Sequence, residues 1–60
     1  MFFECVQSKT FLFEPGKKYR LKEYTNGSIV IEGEFESEYD FDEGMKAAYQ
    51  PSGRVIATFK

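Results

Sequence analysis

The residues most able to do chemistry are carboxylates, and they are spaced. Residues 29–43 read IVIEGEFESEYDFDE, with Glu32, Glu34, Glu36, Glu38, Asp40 and Asp42 at every even position from 32 to 42. Gly33, Phe35, Ser37, Tyr39 and Phe41 fill the odd positions between them. In an extended chain a period of two puts the two sets on opposite faces, one of carboxylates and one largely aromatic. With Glu43, the segment 32–43 holds seven of the ten acids and none of the eight bases, so the net charge of −2 conceals a strong asymmetry. Such asymmetry sets what a surface attracts.

Paired carboxylates act as general acid and base where a dry cleft lifts one pKa above the other. An exposed ladder offers no such cleft. The chain has no histidine, hence no ordinary triad and no imidazole base. Its one cysteine, Cys5, lies in an apolar-flanked strand with no adjacent base to lower its pKa, and reads as a buried structural thiol. Glu38, Asp40, Asp42 and Gly44 only partly match a calcium loop: the glycine falls one place late, and Tyr49 stands where the last glutamate belongs. The expectation is therefore a non-enzymatic protein with no catalytic residues, no metal and no cofactor.

Two surfaces remain. The first is the ladder itself. Its bland reading is a solvated face that discourages aggregation. Its functional reading is a phosphate mimic. Carboxylates on one face of a strand stand ~6.8 Å apart, twice the strand rise, and so match alternate phosphates of a strand spaced ~3.4 Å apart. The expected partner-binding set is Glu36, Glu38, Tyr39, Asp40, Phe41, Asp42 and Glu43, with the two aromatics as apolar anchors. The partner is then a larger protein with a basic surface. A small, cysteine-poor, aromatic-rich chain carrying such a stripe suits an inhibitor of a nucleic-acid enzyme, of the kind viruses and mobile elements encode; this step is an analogy. The second surface is Lys17, Lys18, Tyr19, Arg20, Lys22 and Tyr24, a basic-aromatic platform of the kind that binds nucleic acid. A third option is a homodimer joined through Phe2 and Phe3 or through residues 11–13, whose adjacent aromatics must face opposite ways on a strand.

The elements that position these residues are short strands between tight turns. Glu14-Pro15-Gly16-Lys17 has proline and glycine where a type II turn wants them. Thr25-Asn26-Gly27 predicts a three-residue hairpin loop with Gly27 in the left-handed region. A two-residue Asn-Gly loop would set Leu21 beside Glu32. The three-residue loop pairs Leu21 with Ile31 and Tyr19 with Gly33, and it faces Arg20 to Glu32 and Lys18 to Glu34. Beyond Glu34 the ladder either bends at Gly33 to cross to a second sheet or frays into a loop near Ser37. For residues 42–49 a short helix capped by Asp42 competes with a strand. The strand is preferred, because Pro51-Ser52-Gly53 would pair Tyr49 with Val55, Ala47 with Ala57 and Met45 with Phe59, leaving only Ala48 and Ile56 out of place.

Sixty residues make one domain at most, residues 1–60. The prediction is an all-β fold: a five-stranded antiparallel barrel or roll, SH3-like in strand number and turn spacing only, with one short helical turn near 42–49 as the variant. The expected core is Tyr19, Leu21, Ile29, Ile31, Phe35, Val55, Ala57 and Phe59. A single cysteine excludes an internal disulfide and suits a reducing compartment. There is no apolar run of ~20 residues and no signal-peptide pattern at the N-terminus, so a cytoplasmic protein away from membranes is expected.

Overall fold

In the computed structural model, which describes residues 1–60, the glycine turns behave as their chemistry requires. Gly16, Gly27 and Gly53 all have φ near +90°, a region closed to most side chains. The Lys17 N–H donates to Glu14 O at 3.1 Å, closing the first turn. The Tyr24 N–H donates to Ser28 O, the Gly27 N–H donates to Tyr24 O, and Asn26 Oδ1 accepts the Ser28 N–H at 2.9 Å. The loop is thus the three-residue form, and Leu21 stands opposite Ile31.

These turns connect six strands: β1 (Phe2–Ser8), β2 (Lys18–Glu23), β3 (Ile29–Glu32), β4 (Glu38–Asp42), β5 (Ala47–Tyr49) and β6 (Val55–Phe59). Each pairs antiparallel with its neighbour in sequence, and β6 returns to β1, closing the barrel. Closure removes every sheet edge. No helix of the structure is long and apolar enough to cross a membrane.

The strand beyond the expected five is β4, the second half of the acidic stretch. The ladder is not one strand: it stops at Glu32, reverses through a 3-10 turn at Glu34–Glu36, and resumes as β4, which lies back on β3 with Ile31 opposite Tyr39. The reversal holds Phe35 and Glu36 at φ 57° and 60°, the left-handed region, which costs roughly 1–2 kcal/mol per residue. It brings Phe41 into the core at 4% exposure and packs Tyr39 against it, and burying a large apolar side chain is worth about 1.5–3 kcal/mol. The ladder hydrogen bonds gained along β4 add to that, so reversal wins over an unpaired extended strand. Phe35 is the casualty. Expected in the core, it is 81% exposed, because it sits on the turn and not on either strand.

Residues 42–49 contain no helix. Residues 43–46 form a turn in which Asp42 Oδ1 accepts the Met45 N–H at 3.1 Å, and β5 begins at Ala47. Paired between β4 and β6, the segment satisfies its backbone on both sides. Tyr49 faces Val55 as the loop length requires, but Ala48 faces Ala57 and Ala47 faces Thr58. A bulge therefore leaves Ile56 as the extra residue, and this is the side chain that strict alternation left misplaced. The bulge lets Ile56 and Ala57 both be buried.

The core is a cluster of Cys5, Phe13, Tyr19, Ile31, Phe41, Ala48, Ile56, Ala57 and Phe59. Leu21, Ile29 and Val55, expected there, are only half-buried. Phe13 comes from the 9–17 loop, not from a strand. It plugs the barrel, edge-on to Tyr19 and Phe59 with ring centroids 5.1 and 5.3 Å away. Of each adjacent aromatic set one ring is packed and one left out: Phe3 lies 4.9 Å from Phe41 while Phe2 is exposed, and Phe13 is enclosed while Phe11 is exposed. Burial raises the Cys5 thiol pKa, in keeping with an inert structural cysteine.

Candidate functional site

The acidic residues gather on and beside the β3–β4 hairpin, in two populations. Glu34 and Glu38 are internally engaged. Glu34 Oε2 accepts from Tyr19 OH at 2.8 Å and lies 3.4 Å from Lys17 Nζ. Those contacts, the tyrosine hydrogen bond first, hold its carboxyl below the ordinary range. Glu38 accepts from Tyr24 OH and lies 3.3 Å from Lys22 Nζ, and its carboxyl is likewise held low, again chiefly by the tyrosine. Glu36, Asp40, Asp42 and Glu43 take part in no ion pair.

The expected ion pairs of Arg20 with Glu32 and of Lys18 with Glu34 do not form. Pairing of β2 with β3 runs only from Leu21 to Glu23, and the chain turns away after Glu32 before Glu34 can face Lys18. Tyr19 is not opposite Gly33 either, because β3 ends at Glu32; on its other edge β2 pairs with β1, Phe3 facing Tyr19. Lys22 takes the role instead. Glu32 and Glu38 stand directly opposite each other, a like-charge arrangement that destabilises a sheet. Lys22 Nζ reaches both, at 4.0 and 3.3 Å, and also lies over the Tyr24 ring.

Glu32, Gly33, Glu36, Ser37 and Glu38 surround an open hollow with no apolar side chain in its wall. Along β4 the outward row continues through Asp40, half-buried with Val30 and Tyr49 on either side, to exposed Asp42. Of the carboxylates of the expected partner-binding set, Glu38, Asp40 and Asp42 thus share the outer row of β4, Glu36 meets Glu38 at the hollow, and Glu43 lies in the turn that follows β4. The two aromatics of that set are not on that row: Phe41 lies in the core and Tyr39 packs against it, so neither can serve as an anchor. No group of acids or cysteine is arranged to hold a metal ion.

The basic-aromatic platform is divided. Tyr19 is 7% exposed, its hydroxyl accepting the Glu14 N–H at 2.8 Å while donating to Glu34, so its ring cannot stack on a base. Lys17 lies between Glu14 and Glu34, and Lys22 between Glu32 and Glu38, with Tyr24 tied to Glu38. Lys18 and Arg20 alone remain unpaired, on the outer face of β2 opposite Glu4 and Phe2.

Sequence reasoning missed one feature, the pair of exposed rings Phe11 and Phe35, 5.9 Å apart. Gly33 and Ser37 bracketing the three residues between them were the available signal for a turn that would expel Phe35 from the strand pattern. In comparisons with known proteins, no family model, no curated protein and no solved structure matches this chain.

Proposed function

We propose that the protein is a non-enzymatic binding module that docks the acidic face of its β3–β4 hairpin onto a basic surface of a larger protein, one that handles nucleic acid, and inhibits or modulates it by standing in for phosphates. The observation that carries this reading is the set of carboxylates without a basic partner, Glu36, Asp40, Asp42 and Glu43, of which Glu36 also lines the hollow rimmed by Glu32 and Glu38. Charges that a fold neutralises internally have little left for a partner; no lysine or arginine of this fold neutralises these four. The hollow has no apolar group in its wall, and while Glu32 and Glu38 share Lys22, Glu36 is left to form charge-assisted hydrogen bonds with an inserted arginine or lysine. The nucleic-acid-binding alternative has less support, because its tyrosine is enclosed and two of its four bases are occupied by carboxylates.

The test is competitive capture. The immobilised protein and a variant carrying Glu36→Gln, Asp40→Asn, Asp42→Asn and Glu43→Gln are exposed to nuclease-treated lysate at rising salt. Glu38 is left intact because it holds Lys22 and Tyr24 in place. A nucleic-acid-handling protein should be retained by the wild type, released between ~0.05 and ~0.5 M salt as the Debye length falls well below ~10 Å, displaced by duplex DNA, and lost with the variant. Retention that survives neutralisation but is destroyed by reversing Lys18 and Arg20 would refute the mimic.

A further inference from the structure

Phe11 and Phe35 are the most exposed large apolar side chains of the protein, at 79% and 81%. They come from different loops yet meet, rings 5.9 Å apart and inclined at 59°. The loops beneath them are tied together. The Glu34 N–H donates to Leu12 O at 2.8 Å, and Tyr19 OH joins the Glu14 backbone of one loop to the Glu34 carboxylate of the other. Phe35 also stands in the left-handed region, at φ 57° and ψ 38°, a genuine outlier for a bulky residue. Glycine or asparagine there would relieve the strain and remove apolar surface. The Phe35 ring takes no part in the core cluster, and the ring it meets is itself exposed. Strain of this kind gathers where a side chain must be presented to something else.

We propose that the Phe11 and Phe35 pair is the apolar anchor of the acidic docking surface, inserting into a hydrophobic pocket of the partner protein whose rim is arginine or lysine. The inference rests on the acidic-surface reading above and adds the partner's chemistry. Charge complementarity selects the occupant: Glu36, which follows Phe35 and lines the hollow, has no basic partner, so a pocket that takes the rings meets a free carboxylate at its edge. A second copy of the chain is a poor occupant. Two aromatic rings offer roughly 300–500 Å², against about 800 Å² per partner in a standard interface, and self-contact would set free carboxylates against each other. In a larger interface the same rings are a hot spot, enclosed and ringed by charge.

The test uses defined probes: short fluorescent amphipathic peptides of alternating arginine and leucine, of arginine and alanine, and of glutamate and leucine, titrated by anisotropy. The wild type should prefer the arginine–leucine peptide to the arginine–alanine one about ten-fold or more and ignore the glutamate peptide. Phe11→Ser with Phe35→Ser should erase the leucine preference while leaving the arginine–alanine affinity and the circular dichroism spectrum unchanged. A leucine preference that survives this double change, or its absence in the wild type, overturns the anchor. Failure of the underlying reading looks different: neutralising Glu36, Asp40, Asp42 and Glu43 would leave both affinities untouched. Concentration-dependent dimers in sedimentation that vanish with the two serines would assign the rings to a second copy and overturn the proposal as well.

Discussion

Tyr19→Phe removes one oxygen atom and tests the junction on which both loops depend. The ring would keep its place between Phe13 and Phe59, so no cavity opens. What is lost is a hydroxyl that accepts the Glu14 N–H and donates to Glu34 Oε2, each at 2.8 Å. A hydrogen bond to a charged group is worth ~1.5–3 kcal/mol and a neutral one ~0.5–1.5. The Glu34 side chain is 33% exposed and Glu14 is exposed, so water recovers part of both. A net loss of ~1–2 kcal/mol is expected, out of about 3–9 kcal/mol for a chain this size. That is a fall in Tm of roughly 5–15 °C. The effect should depend on pH. The Glu34 carboxyl is held below its ordinary 4.5, first by Tyr19. A carboxyl lowered in the folded state stabilises the fold above its unfolded pKa, and that stability is lost as pH falls through the folded value. Urea denaturation of wild type and variant should therefore show the full gap near neutrality and a narrower one below the carboxylate range, where only the Glu14 bond remains distinctive. Equal stabilities near neutrality, or a gap undiminished in acid, would refute the assignment of Tyr19 as a charge-supported junction.

Two further changes probe the barrel and the turn. Phe59→Ala removes the ring that Phe13, Tyr19 and Phe41 all meet edge-on and should cost ~3–5 kcal/mol, leaving the chain largely unfolded by circular dichroism at room temperature; a cooperative transition near the wild-type temperature would place Phe59 outside the energetic core. Gly33→Ala has no backbone-angle problem, but its Cβ would come within 2.6 Å of Ser37 Oγ and 2.9 Å of Leu12 O. It should lower stability by ~1–3 kcal/mol and speed amide exchange at Glu34, and an unchanged Glu34 exchange rate would show that the two loops are not held through this contact.

The parts of this fold that were legible in the sequence are those where one local choice excluded the other. The Asn26-Gly27 loop length decided whether Leu21 met Ile31 or Glu32, and the apolar pairing won. The Pro51-Ser52-Gly53 loop fixed Tyr49 opposite Val55 in the same way. Alternation failed where tertiary energy overrode it. A period of two is blind to a reversal of direction, since residues on both arms of a hairpin keep their inward or outward parity. Glu32 and Glu38 therefore read as steps of one ladder although they face each other across two strands. The bulge at Ile56 left one trace, the single pair that alternation could not place, because a one-residue slip is made worthwhile only by the closed barrel. Phe13 and Phe11 carried no signal to say which would be the plug, because the choice rests on the path of a loop.

The same reversal that hid the fourth strand creates the candidate site. Had the ladder run straight, Glu36, Glu38, Asp40 and Asp42 would have lined one exposed strand with Tyr39 and Phe41 behind them. By turning, the chain gives Tyr39 and Phe41 to the interior and raises Phe35 on a strained turn beside Phe11. It sets Glu32, Glu36 and Glu38 around one hollow. Lys22 and Lys17, which the nucleic-acid reading needs on the surface, are drawn in to steady Glu38 and Glu34. An exposed aromatic pair and a carboxylate without a basic partner, Glu36, thus arise from one turn, held by Tyr19 from beneath. Weakening that support with Tyr19→Phe should therefore lower affinity for the arginine–leucine peptide more than for the arginine–alanine one, because the rings would lose their fixed relation while the carboxylates of β4 would keep theirs. Equal losses for both peptides would mean that Tyr19 supports the fold as a whole and not the presentation of the two rings.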